Sequence, residues 1–194
     1  MPNTRKIVGL SLLTAIVAVL QFLGSFVRFG PFSISLVLIP IVVGAALYGV
    51  GAGAWLGAVF AATVFLSGDA NVFLAVSPLA TIGVVVLKGI LAGLIAGIIY
   101  KALEAKNQTS AAVCAAVLCP IINTGIFYLG CRYFFFDIVK GWAEASGLLS
   151  SSKTFFSMFF GVIGGNFCIE MIINVVLSPV IVRLINIGRQ KHIS

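Results

Sequence analysis

The sequence predicts an all-α integral membrane protein of six transmembrane helices with both termini cytoplasmic. Three observations carry this expectation. Hydrophobic residues make up 61% of the chain and charged residues 9%, where a soluble domain carries about 25% charged residues. The apolar sequence falls into six runs separated by Gly, Pro or polar clusters, the pattern of spans of roughly 20 residues with short loops. Basic residues are biased to one side: Arg5, Lys6, Lys101, Lys106, Arg183, Arg189 and Lys191 would lie on the side of both termini against Glu104, and Arg28, Arg132, Lys140 and Lys153 on the other against Asp69, Asp137 and Glu144. That bias places both termini in the cytoplasm. Residues 1–194 are expected to form one domain with no room for a separate soluble catalytic unit.

The first run, 7–27, follows the basic start MPNTRK and has the outline of a signal peptide. The run is long and no convincing A-x-A site follows it, so it is expected to remain as span one. Arg28, Gly30 and Pro31 end it. Span two, 33–48, and span three, 53–66, are joined by the Gly-rich turn YGVGAGAW. The stretch SGDANVFLAVSPLATI, 67–82, is too broken to span and too apolar for a free linker, so it is expected to fold back over the protein. Span four covers 83–100, followed by the hydrophilic connector KALEAKNQTS. Span five covers 111–136, with a kink expected at Pro120. A last loop, 137–153, leads to span six, 154–185, which exceeds what a bilayer needs and is expected to tilt or project.

Small residues recur at helical spacing. Span four has Gly89, Gly93 and Gly97, and span three has Gly53, Gly57 and Ala61. Span one has two overlapping rows, Ser11 with Ala15 and Thr14 with Ala18. Such stripes let helices approach closely. They serve either packing within this chain or, most plausibly on span one, docking of a partner protein.

Polar groups stand out against this background. Asn166, Glu170, Asn174 and Ser178 step by four along span six, and Thr124, Tyr128 and Arg132 do so along span five, with Asn123 adjacent. Ionisable groups in a membrane usually face a bundle interior or wet cavity. A pocket bounded by spans four to six would offer Glu170, the amides of Asn123 and Asn166, the phenol of Tyr128 and the cations Lys88 and Arg132. That set suits a small polar molecule with hydroxyl, amide and acidic groups. Alternatively, Glu170 pairs with Lys88 or Arg132 as a structural ion pair, or stays protonated and hydrogen-bonded in the bundle. Asn174 and Ser178 lie deeper and could only satisfy helix contacts.

Several function classes fall away. The net charge of +7 is that of Lys and Arg flanking spans, so no nucleic-acid partner is expected. The four cysteines, Cys114, Cys119, Cys131 and Cys168, form no C-x-x-C pair and read as packing residues. There is no P-loop motif and no H-E-x-x-H. The only histidine, His192, sits in the basic tail, remote from any intramembrane acid or serine, so no catalytic set and no enzyme activity is expected. Binding or transport remains, with two rival classes: a stand-alone ion-coupled secondary transporter with Glu170 as its protonation site, and a structural membrane assembly protein.

Four stretches resemble the substrate-binding S-components of energy-coupling factor (ECF) vitamin transporters, in particular the riboflavin-type branch with its pantothenate-like members. They are RKIVGLSLLTAIVAVL, ISLVLIPIVVGAALYGVGAGAWLGAVFA, CPIINTGIFYLG and GNFCIEMIINVVLSPVIVRL, together about half of the chain. The resemblance implies a six-helix bundle in the cell membrane with an outward-facing pocket built mainly from spans four to six and covered by loops. It implies that spans one to three, through small residues such as Ala15 and Ala18, meet a transmembrane coupling protein. Two cytoplasmic ATPases would use the ATP, and this chain would bind no cofactor. Pantothenate would suit cations beside Glu170 and several amides. Riboflavin would use amide and carboxyl partners for its ring edge with aromatic walls.

Overall fold

The computed structural model describes residues 2–29, 32–33, 35–147 and 154–193, and these are almost entirely helical. In chain order they form α1 (Pro2–Phe26), β1 (Arg28–Phe29), β2 (Phe32–Ser33), α2 (Leu38–Tyr48), α3 (Val50–Leu66), α4 (Asn71–Leu74), α5 (Pro78–Leu103), α6 (Gln108–Phe134), α7 (Phe136–Ala145), α8 (Phe155–Val176) and α9 (Ser178–Ile193). Each of the six apolar runs forms helix, but the helices differ in length. Lys6–Phe26, Pro78–Leu103, Gln108–Phe134 and Phe155–Val176 are long and apolar enough to cross a membrane. Leu38–Tyr48 and Val50–Leu66 are shorter, with 11 and 17 residues. At about 1.5 Å per residue they fall short of a hydrocarbon core about 30 Å thick.

The boundaries follow from local chemistry. Span two starts at Leu38 instead of residue 33, because Phe32–Ser33 pairs antiparallel with Arg28–Phe29. Pro40 lies in the first turn of α2, where a missing N–H breaks no intrahelical bond. A single residue, Gly49, separates α2 from α3. Its φ of 96° is open to glycine, and its N–H donates to the carbonyl of Ala45 at 3.0 Å. Span four begins at Pro78, five residues before the expected start, because proline is preorganised for the first helical position. The segment before it does fold back, as a turn at Gly68 followed by the short α4. At the start of α6, the Asn107 side chain accepts from the N–H groups of Thr109 (2.9 Å) and Ser110 (3.1 Å).

Two expected segments are subdivided. The loop 137–153 begins as a helix, α7, which buries Val139 and Ala143 and exposes Asp137, Lys140 and Glu144. Its remaining residues, 148–153, lie outside the described residues. The overlong span six is two helices broken at Leu177. Pro179 has no N–H for the carbonyl of Val175, and the Ser178 hydroxyl donates to that carbonyl instead, at 2.7 Å. The excess length is thus resolved by a break.

The glycine rows of spans three and four meet each other. A Cβ on Gly57 would fall on the carbonyl oxygen of Gly89, and one on Gly93 on that of Gly53. The backbones of α3 and α5 are therefore in direct contact, and these rows serve packing within the chain. One apolar core centres on Ile41, Leu56, Phe60, Ala92, Ala115 and Ile181. A second, aromatic core joins Phe73, Phe135, Val139, Phe155 and Phe159 at the end of the bundle where α6 stops and α8 starts.

Candidate functional site

Between the two cores lies a cavity of about 80 Å³. At roughly 10–15 Å³ per water it holds a handful of water molecules. Among the described residues its polar lining comes from six places: Gln21 of α1, Ser35 before α2, Asp69 after α3, Lys88 of α5, Asn123 and Thr124 of α6, and Asn166 and Glu170 of α8. Phe60, Phe73 and Phe127 form much of its apolar wall.

Helix geometry places each of these groups well inside its helix. Lys88 lies about 15 Å from the start of α5, Asn123 about 17 Å from the end of α6, and Asn166 about 17 Å from the start of α8, at about 1.5 Å per residue. The ring of Tyr128 meets that of Phe155 at 5.5 Å, which sets the end of α6 beside the start of α8. Lys88 is deeper than a span starting at residue 83 implied, because α5 starts at Pro78. Glu170 lies one further turn down α8.

The carboxylates are committed to the protein. Glu170 Oε1 accepts the backbone N–H of Ser35 at 2.9 Å and the Asn166 amide at 3.3 Å. Asp69 Oδ2 accepts from Gln21 Nε2 at 2.8 Å and from the Ser67 hydroxyl at 3.3 Å. Gln21 is 3% exposed, so this bond joins α1 to the turn after α3 from inside the bundle. Lys88 differs. Its ammonium lies 5.0 Å from the ring centre of Phe127 and 5.5 Å from that of Phe60. Among the described residues no salt bridge joins it to Glu170. Asn123 is 4% exposed, and its Oδ1 has no hydrogen-bond partner.

The structure brings together five of the residues singled out in the sequence, Lys88, Asn123, Thr124, Asn166 and Glu170. It leaves Tyr128, Arg132 and Asn174 outside the cavity lining. Each four-residue step rotates about 40° around a helix, so a row that starts in the cavity turns out of it. On α6, Thr124 lines the cavity, and Tyr128 packs among Phe155, Phe159 and Phe160. Arg132, one turn on, is exposed, with its guanidinium 5.7 and 5.5 Å from the rings of Phe136 and Phe155. On α8, Asn174 is buried and donates to the backbone carbonyl of Glu170 at 2.9 Å.

Sequence reasoning missed Gln21, Ser35 and Asp69. Gln21 left a readable signal as the one glutamine inside an apolar run, and Asp69 as the only acid in 67–82. Ser35 contributes its backbone, which no side-chain pattern reveals. The small rows of α1 separate. Ser11 and Ala15 are exposed, whereas Thr14 and Ala18 are half-buried. Thr14 Oγ1 accepts from the indole of Trp55 at 3.1 Å, so it helps to hold α1 against α3.

A cavity with fixed carboxylates, free amide capacity, one cation and aromatic walls can bind a small polar solute. A family model described as ECF transporter, substrate-specific component, matches residues 5–182. No curated protein and no solved structure matches the chain.

Proposed function

The chain belongs to the substrate-specific components of ECF transporters, and from that premise we propose that it is the vitamin-capturing subunit of an ATP-driven importer. Membership makes it a multi-pass plasma-membrane protein of a transporter family that works with a coupling protein and ATPases. In our reading the chain passes the membrane six times with both termini in the cytoplasm. The cavity side faces outward and receives a water-soluble vitamin of the pantothenate or riboflavin type. Two cytoplasmic ATPases supply the energy, and the exposed Ser11–Ala15 face of α1 meets the coupling protein.

The observation that carries this reading is the convergence of Lys88, Asn123 and Asn166, from three helices, on a single cavity. Internal glue needs no such space, and a polar group in a membrane is costly unless it serves a purpose or finds a partner.

The test is purification in detergent with mass spectrometry of the retained small molecule, followed by uptake in proteoliposomes. A retained vitamin, and uptake that needs the coupling protein, the ATPases and ATP, are expected. Uptake by this chain alone, abolished by an uncoupler, would establish an ion-coupled carrier instead. Retention of no solute, with Glu170→Gln altering only stability, would establish a structural role.

A further inference from the structure

Resting on that reading, we propose that the solute carries a carboxylate seated on Lys88 and, a short distance along it, a hydroxyl or N–H seated on Asn123. A buried ammonium in a membrane bundle is normally paired with a counter-charge. Lys88 has two aromatic faces, Phe60 and Phe127, and no salt bridge to Glu170. Ring faces stabilise a cation less than a desolvated carboxylate does.

Glu170 and Asp69 line the same cavity and act on Lys88 through space, but neither closes a salt bridge with it. Glu170 holds the Ser35 N–H and Asn166 with one oxygen, and Asp69 is bonded to Gln21 and Ser67. Their contacts tie loops and helices together. Asn123 supplies a second, independent demand: its Oδ1 lines the same cavity, is buried and lacks a donor. A solute with an anionic end and a nearby donor satisfies both groups at once. A neutral flavin leaves the Lys88 charge uncompensated, and a cationic solute is repelled by it.

The experiment measures binding to the full chain in detergent, by thermal shift and titration, for pantothenate, biotin, nicotinate, panthenol, riboflavin and thiamine. Pantothenate and panthenol differ only in a carboxylate replaced by a primary alcohol. At least one carboxylate is expected to bind, and Lys88→Met is expected to weaken it roughly 100-fold or more, as loss of one partner of a buried charge pair does. Lys88→Met without solute should still fold, because no salt bridge to the bundle is lost, so its change in affinity reads the solute contact. Asn123→Leu, which fills the same space without the amide, should weaken the same solute roughly 10-fold. Binding of only riboflavin, panthenol or thiamine overturns the carboxylate assignment and leaves vitamin capture standing. So does a carboxylate whose affinity Lys88→Met leaves within threefold. Binding of none of the six overturns vitamin capture and the assignment together.

Discussion

Replacing Gly57 by alanine tests whether the backbones of α3 and α5 touch. The new Cβ would fall on the carbonyl oxygen of Gly89, a backbone atom that cannot rotate aside. Carbon and carbonyl oxygen approach to about 3.3 Å at closest, so the helices must part by about 1 Å. A gap of 0.5–1 Å forfeits about a quarter to a half of each van der Waals contact along the seam. Overpacking of this kind costs about 1–3 kcal/mol, offset by about 0.5–1 kcal/mol from alanine's better helix propensity. The net loss is up to about 2.5 kcal/mol, or up to roughly 10 °C at about 2–4 °C per kcal/mol for a chain of this size. Thermal unfolding of the isolated protein in detergent measures it. Gly51→Ala on the same helix is the control: a Cβ there meets nothing within 4 Å, so its melting temperature should hold or rise. Gly57→Ala combined with Gly89→Ala should cost less than the sum, since the first substitution already parts the seam. A Gly57→Ala protein that melts with or above the Gly51→Ala control would show that the two glycine rows do not meet.

Other expectations follow from single contacts. Gln21→Leu removes the amide that Asp69 accepts and should destabilise by about 1.5–3 kcal/mol, the range for a hydrogen bond to a charged group; restoration of the melting temperature by Asp69→Asn in the same chain would confirm the pair. Asn107→Ala strips the cap from α6 and should cost about 0.5–2 kcal/mol, with solute affinity unchanged because the cap lies about 24 Å along the helix from Asn123, at about 1.5 Å per residue. Glu170→Ala frees the Ser35 N–H and the Asn166 amide, so hydrogen exchange at Ser35 should accelerate; unchanged protection there would contradict the bond. Ala15→Leu on the exposed face of α1 should leave the melting temperature alone and reduce co-purification of the coupling protein.

The sequence told most where one residue determines the outcome. The placement of Lys88, Asn123, Asn166 and Glu170 together was legible because ionisable and amide side chains are rare in apolar helix and have few places to go. The glycine rows showed that two helices would touch, but spacing alone cannot name the partner row. Tyr128, Arg132 and Asn174 were misplaced by extending a four-residue row too far, since 3.6 residues per turn carries it off the face. The break at Leu177 was present in Ser178–Pro179, whose consequence is that Val175 loses its helical donor. Gln21 stood out in its apolar run, but its partner did not: it finds Asp69 48 residues away, and no local pattern reports such a meeting.

The bond between Ser35 and Glu170 joins positions 135 residues apart. As the chain is made from its N-terminus, α1 to α7 are made before α8 exists. Until then the Ser35 N–H lacks the carboxylate that receives it, and Asn123 and Lys88 face no α8 wall. The cavity therefore gains its last wall only when α8 has been made. A chain stalled before residue 155 would hold the partners of the α3–α5 seam and of the Gln21–Asp69 bridge yet lack the α8 wall, so a complete cavity also reports that synthesis has passed α8.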